Sequence, residues 1–301
     1  MQYETLDLTE TNCECRMPVC LGILGRWADL TGRMATHVAA ALTSLLLLLA
    51  VPAVAQTPSF TSDRLTSLVA PVALYPDPLL AQVLAAATFS DELPAAARWA
   101  DQHRKLTGEP LAQAMLENQP PWHPTVQALL PFPSVLDAMA SDMKQTGELG
   151  NAFLVQKNDV LGVIQSERAK AKQLGYLKSN KAISVDSTPD IEIIPVNRAD
   201  IAVPSYDPGI VFSALPKGGP VAGAIRFDTH VEVGGFQLAE WKSSKFQFIG
   251  GYFQAWGWGF GGIDWPARTV IINGKPWLRN WTNRADYVHP FPQLTRVPPH
   301  Q

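Results

Sequence analysis

Histidines and carboxylates are the side chains best suited to acid–base chemistry or metal binding. Five histidines lie in the part of the chain that follows residue 55: His103, His123, His230, His289 and His300. No two of them lie at the HxH, HxxxH or HExxH spacings that place two ligands side by side. The sequence also has no phosphate-binding glycine loop, nucleotide fingerprint or nucleophile elbow. It therefore predicts no catalytic residue, no metal site and no cofactor. The alternative is a hydrolase whose histidine and carboxylate come from distant parts of the chain.

Tryptophans crowd together with glycines near the C-terminal end and form the strongest local anomaly: Trp256, Trp258, Trp265 and Trp277. Flat indole faces can stack on a sugar ring or a peptide, which would make this segment a ligand-binding surface. Large aromatic side chains also fill the space beside glycines in closely packed sheets. Packing is the favoured interpretation, and a glycan-binding, peptide-binding or membrane-contacting surface is the alternative.

The motif Tyr75-Pro76-Asp77-Pro78 predicts a rigid corner between two helices, because each proline lacks a donor and restricts the residue before it. Asp77 is predicted to be the N-cap of the second helix, with Pro78 at its first position. The helix that follows has an apolar stripe at helical spacing: Leu79, Leu80, Val83, Leu84 and Ala87. This structural corner is a packing device and predicts no chemistry.

The elements that must position these residues change type near residue 178. Residues 56–178 read as a helical domain, whose last helix has apolar residues at helical spacing from Leu149 to Ile164 and Glu167 and Arg168 on the other side. Residues 179–212 read as a β-hairpin-like segment, 213–290 as a β-rich Trp/Gly segment with a hairpin turn at Asn273-Gly274, and 291–301 as a flexible tail. The predicted fold class is α+β, with an N-terminal all-helical domain followed by a small β-rich, aromatic and Gly-rich C-terminal domain.

Residues 1–55 have the features of a signal peptide with an over-long N-terminal extension, for which Met17 or Met34 would be the true start. Basic residues precede the apolar run Val38 to Ala50, and Ala53-Val54-Ala55 has small residues where signal peptidase cleaves. A run of 13 residues is shorter than the ~20 needed to span a bilayer. We therefore expect cleavage after Ala55 and a periplasmic or secreted protein, with an uncleaved anchor as the alternative.

Cleavage would also change the cysteine content and the charge. Cys13, Cys15 and Cys20 all lie in the leader, so the mature chain would have no disulfide. The leader contains three of the 24 basic and five of the 27 acidic residues, so the mature net charge would be near −1. A chain without a basic cluster is not expected to bind nucleic acid, or to contact the membrane except through the signal segment.

A family resemblance rests on several motifs in a fixed order between residues 60 and 212: LVAPVALYPDPLLAQVLAAATF, AARWA, PWHPTVQALLPFPSVLDAM, LGNAFLVQKNDVLGVIQ, LKS and IEIIPVNRADIAVPSYDP. With these motifs the chain resembles the exported bacterial family called domain of unknown function 3300. The resemblance implies a secreted or envelope-associated protein and carries no catalytic residue. Members often have a longer low-complexity tail, so any function of such tails is in doubt here.

These observations predict an exported cell-envelope protein that is a non-catalytic structural or binding module. Its partner would be an envelope glycan or an envelope protein. The hydrolase alternative would require His103 or His123 to meet a carboxylate in a cleft, whereas a row of exposed indoles would favour the binding module.

Overall fold

A computed structural model of the chain describes residues 57–197, 200–213, 219–234, 237–239, 247–249 and 261–291. The part before residue 178 is helical: α1 Ser62–Val69, α2 Asp77–Ala87, α3 Leu93–Gln102, α4 Gly108–Asn118, α5 Pro124–Gln127, α6 Pro133–Ser141, α7 Met143–Val155 and α8 Lys157–Gln173, with a 3-10 turn at Ser90–Glu92. Within the described ranges, none of the helices is long and apolar enough to cross a membrane.

Prolines mark where many of the helices begin. Pro78, Pro94, Pro124 and Pro133 each lie in the first two positions of a helix, where a missing N–H costs no intrahelical hydrogen bond. The chain therefore turns sharply between short helices, and the corner predicted at Tyr75–Pro78 is one of these turns.

The predicted last helix is divided in two at Gln156. This residue has φ −128° and ψ 44°, which ends α7 and precedes α8. Its side-chain amide pairs with the main chain of Phe60, since Oε1 accepts from the Phe60 N–H at 2.8 Å and Nε2 donates to the Phe60 carbonyl at 3.3 Å. The single-helix prediction was wrong because apolar spacing continues through a residue whose side chain is engaged with the segment before α1.

The part after residue 178 contains short antiparallel strands and one helical turn: β1 Ile183–Ser187, β2 Ile191–Pro195, β3 Asp200–Tyr206, α9 Pro208–Val211, β4 Ile225–Glu232, β5 Gln237–Ala239, β6 Gln247–Ile249, β7 Gly262–Asp264, β8 Thr269–Ile272 and β9 Lys275–Pro276. They form the pairs β1–β2, β3–β4 and β5–β6 and the sheet β7–β8–β9. The predicted hairpin at Asn273-Gly274 joins β8 to β9, with positive φ at both turn residues. The α+β class predicted from the sequence is confirmed.

Helix α2 lies at the centre of the core, and every residue from Asp77 to Ala87 is buried. It packs against α7 so closely that a Cβ on Gly150 would lie 2.0 Å from the Ala87 carbonyl oxygen. The same hydrophobic cluster includes residues from both parts of the chain, among them Ile201, Val231, Ile263, Trp265 and Trp277. One core therefore continues across the predicted boundary at residue 178.

Candidate functional site

Arg168 and Asp77 form an ion pair inside the protein, at the proline corner. Nη1 of Arg168 lies 2.6 Å from Oδ1 of Asp77, and the two side chains are 0% and 9% exposed. The guanidinium also donates to three main-chain carbonyls, those of Ala73, Tyr75 and Ile191, at 2.8, 2.9 and 2.8 Å. We call this arrangement the corner joint. It ties α8 to the Tyr75–Pro78 corner and to β2.

Trp265 completes the corner joint from the C-terminal part of the chain. Its Nε1 donates to Oδ2 of Asp77 at 2.8 Å, and its ring centroid lies 4.9 Å from Cζ of Arg168. Burial raises the pKa of Asp77, while the charge of Arg168 and hydrogen bonds from Trp265, Arg168 and the Ile193 main chain act in the opposite direction. Both carboxylate oxygens have partners, which is the condition for keeping such a group in the interior.

The structure corrects two predictions at this corner. Asp77 is the first residue of α2 and not its N-cap; Pro76 occupies the cap position, with no capping side chain. The Asp77 carboxylate faces Arg168 and Trp265, two donors that sequence spacing does not reveal. Glu167 and Arg168 were predicted on the polar side of the last helix, yet they are 3% and 0% exposed, because α8 packs against the corner and against β2.

The second interior cluster surrounds Trp277, which is 0% exposed. Its ring packs edge-on against Phe89, His123 and Tyr287, with centroids 6.4, 5.9 and 5.3 Å away. His289 lies at 5.1 Å and donates from Nε2 to the Ile272 carbonyl at 2.8 Å. The C-terminal residues of the described chain are thereby held against the helices.

Burial determines the protonation of the two histidines in this cluster. It lowers the pKa of His123 to about 3, with the positive charge of Arg279 and the neighbouring His289 acting in the same direction. It lowers the pKa of His289 as well, against a hydrogen bond to Ile272. Both imidazoles are therefore neutral at pH 7 and serve as packing groups.

The hydrolase alternative required the ring of His103 or His123 to contact a carboxylate, and among the described residues neither ring does so. The His103 ring stacks on Trp99 and donates to its carbonyl. The His123 ring stacks on Phe89 at 3.8 Å, and only its main-chain N–H contacts the Glu92 carboxylate, at 2.6 Å. A histidine–carboxylate contact does form elsewhere, between His230 Nδ1 and Asp200 Oδ2 at 2.9 Å. The sequence gives no sign of it, because it depends on the pairing of β3 with β4.

The predicted ligand-binding tryptophans fall into two groups. Trp265 and Trp277 are fully buried, which agrees with the packing interpretation, and a ligand-binding role for them stays a prediction. Trp256 and Trp258 lie outside the described residues. Among the residues that the structure describes, no three His, Cys, Asp or Glu side chains converge as metal ligands would.

A surface groove lies between the helices and β4. One wall is the segment from His103 to Leu111, a second is Leu130 to Pro133, and the third is Thr229 to Glu232 of β4. The cavity holds about 160 Å³. Half of the lining residues are aliphatic or proline, and the polar side chains in the lining are His103, Arg104, Thr107, Thr229, His230 and Glu232. We call this cavity the β4 groove.

A family model matches the part of the chain that contains all three features. The profile of a family described as protein of unknown function (DUF3300) matches residues 61–291. The chain belongs to this family. The matched range includes the corner joint, the Trp277 cluster and the β4 groove.

The DUF3300 match does not bring an activity with it. One curated relative is the uncharacterized protein YacH of Escherichia coli strain K12, 35% identical over 163 residues, which are 51% of this chain and 26% of the relative. The chain therefore spans about a quarter of that relative's length. No solved structure matches significantly. The function must be argued from the DUF3300 chain itself.

Proposed function

We propose that the protein is exported to the cell envelope and acts there as a non-catalytic binding module for another protein. The proposal has two parts, export and binding, and separate experiments test them.

Export is supported by the apolar run Val38 to Ala50 and by the small residues at Ala53 and Ala55. Expressed with its leader in a Gram-negative host, the protein should be recovered from the periplasm with Gln56 as its first residue. Mass spectrometry of an intact Met34–Ala55 segment in the membrane fraction would contradict cleavage after Ala55.

The β4 groove is the observation that supports binding. Pockets for small-molecule ligands usually hold roughly 300–1,000 Å³, whereas this cavity holds about 160 Å³. An apolar cavity of roughly 150 Å³ accommodates a benzene ring, so the β4 groove has room for one apolar side chain. None of the described lining residues is Phe, Tyr or Trp, and the apolar side chains in the lining, such as Leu106, Leu130 and Val231, are aliphatic. That lining suits a protein side chain better than a sugar ring, which binds best on an aromatic face.

Site-specific crosslinking in the envelope tests the binding proposal. A small photoreactive diazirine side chain in place of Thr229 would face the β4 groove, whereas the same side chain in place of Asp228 would lie on the same strand outside the lining. We expect a crosslinked protein adduct from position 229 only. Equal adducts from both positions, or none from position 229, would argue against the groove as the binding site.

The His230–Asp200 contact favours one second candidate, a hydrolase. A carboxylate that orients an imidazole is a recurring part of acid–base sites, and His230 lies at the rim of the β4 groove. A hydrolase would release p-nitrophenol from p-nitrophenyl acetate, and His230→Gln and Asp200→Asn would each abolish the release. Equal rates in the parent and in both variants would exclude this role for the pair.

A further inference from the structure

One wall of the β4 groove is a run of consecutive strand residues. Successive residues of a strand point to opposite faces, so a run of four in the lining is the pattern that a groove along the strand's edge gives. Thr229, His230, Val231 and Glu232 all line it. The other edge of this stretch is occupied, because Asp200–Val203 of β3 pair with these four residues. In the described part of the chain, β4 has no second paired neighbour.

Acidic groups outnumber basic groups around the groove. Arg104, at the rim, already contacts the carboxylates of Asp101 and Asp137 at 2.8 and 3.0 Å. Glu232 is exposed at the opposite wall. The charged lining residues and the ion-pair partners of the lining side chains contain four carboxylates and one permanent cation: Asp101, Asp137, Asp200 and Glu232, against Arg104.

We propose that the β4 groove binds an extended segment of a partner protein, in which one apolar side chain is flanked by lysine or arginine. The segment's main chain lies along the edge of β4 with which no described strand pairs, its apolar side chain fills the cavity, and its basic side chains face the acidic surroundings. Strand addition at a sheet edge gives affinity through the main chain, and the pocket and the charges give selectivity. This inference rests on the proposed function and names the chemistry of its partner.

Three synthetic peptides test the inference on the mature protein by fluorescence anisotropy. The first alternates threonine and lysine around one central phenylalanine; the second has glutamate for lysine, and the third has serine for the phenylalanine. We expect the first to bind about tenfold or more tightly than either of the others. Raising the salt concentration should weaken the binding of the first peptide and reduce the difference in affinity between it and the glutamate peptide, because exposed charges are screened.

Substitutions in the strand locate the contact. Thr229→Tyr places a ring in the groove and should abolish binding of the first peptide, with an unchanged thermal unfolding midpoint because Thr229 is exposed. Glu232→Lys should lower the affinity for the first peptide about threefold to tenfold. Asp228→Lys is the matched control: it makes the same charge change on the same strand, outside the groove lining, and should have little effect.

The outcomes separate this inference from the proposed function. If the lysine and glutamate peptides with phenylalanine bind equally, and Glu232→Lys has no effect, the proposal of a basic partner segment is wrong. The proposal that the β4 groove binds an apolar side chain of a partner is then retained. If no peptide binds and position 229 gives no more crosslinked adduct than position 228, both fail. If sedimentation shows a dimer that Thr229→Tyr dissociates, the occupant is a second copy of the chain and the inference is overturned.

Discussion

Arg168 donates a 2.6 Å hydrogen bond to Asp77 across 91 positions of sequence. The same guanidinium bonds to two carbonyls that precede Asp77 in the chain, those of Ala73 and Tyr75. Since Trp265 donates to the other carboxylate oxygen, three segments distant in sequence meet at one buried charge. The corner that organises the helical part is thus fixed by residues from α8 and from the start of the β7–β8 turn.

Breaking the corner joint should destabilise the protein strongly. Arg168→Met leaves the Asp77 carboxylate buried without its counter-ion, and removing one partner of a buried pair costs about 3–5 kcal/mol. Urea unfolding of the mature protein measures the loss. The double variant Arg168→Met/Asp77→Asn should lose less than the sum of the two single variants, because no charge stays buried alone. A loss below about 0.5 kcal/mol, typical of surface changes, would show that the pair is not needed.

The two buried tryptophans offer a matched comparison. Trp265 Nε1 donates to Asp77, whereas Trp277 Nε1 has no hydrogen-bond partner in the described part of the chain. Trp265→Phe leaves a buried carboxylate oxygen without that donor, and should cost about 1–3 kcal/mol more than Trp277→Phe. Thermal unfolding monitored by circular dichroism compares them. Equal losses would mean that the indole hydrogen bond contributes nothing beyond packing.

Glycine at position 150 should be essential for the contact between α2 and α7. A Cβ there would lie 2.0 Å from the Ala87 carbonyl oxygen, so Gly150→Ala forces the two helices apart, and overpacking of this kind costs about 1–3 kcal/mol or more. Gly162→Ala in α8 is the control, since a Cβ there meets nothing within 4 Å. The control should be stabilising by about 0.5–1 kcal/mol. Two variants of equal stability would contradict the close approach.

Acid should weaken the fold through His123. Its pKa is about 3 in the folded protein, below the ordinary 6.5, so between these values the unfolded chain binds a proton that the folded chain does not. The contribution of neutral His123 to the stability of the fold is fully present above pH 6.5 and is lost as the pH falls toward 3. Protonation of this histidine in the unfolded chain should lower the free energy of unfolding by at most about 1.4 kcal/mol for each pH unit of acidification in that window. In His123→Gln the pH dependence should be correspondingly shallower in urea titrations at pH 6.5 and 4.5, and an unchanged slope would refute the assignment.

Local features of the sequence were sufficient for the fold class, the proline corners, the Asn273-Gly274 hairpin and the family, because each depends on residues close together in the chain. Backbone restriction by proline and the turn preference of Asn-Gly act over a few positions, so they can be read without tertiary structure.

The contacts between elements that are distant in sequence were decided only by the tertiary structure. Whether Asp77 caps its helix or pairs with Arg168, and whether Arg168 faces water or the interior, depends on how α8 packs against the corner and β2. The same holds for His230 and Asp200, which meet through strand pairing, and for the β4 groove, whose walls come from three separate segments. Burial and long-range contacts give these side chains their partners, and neither quantity is encoded in local spacing.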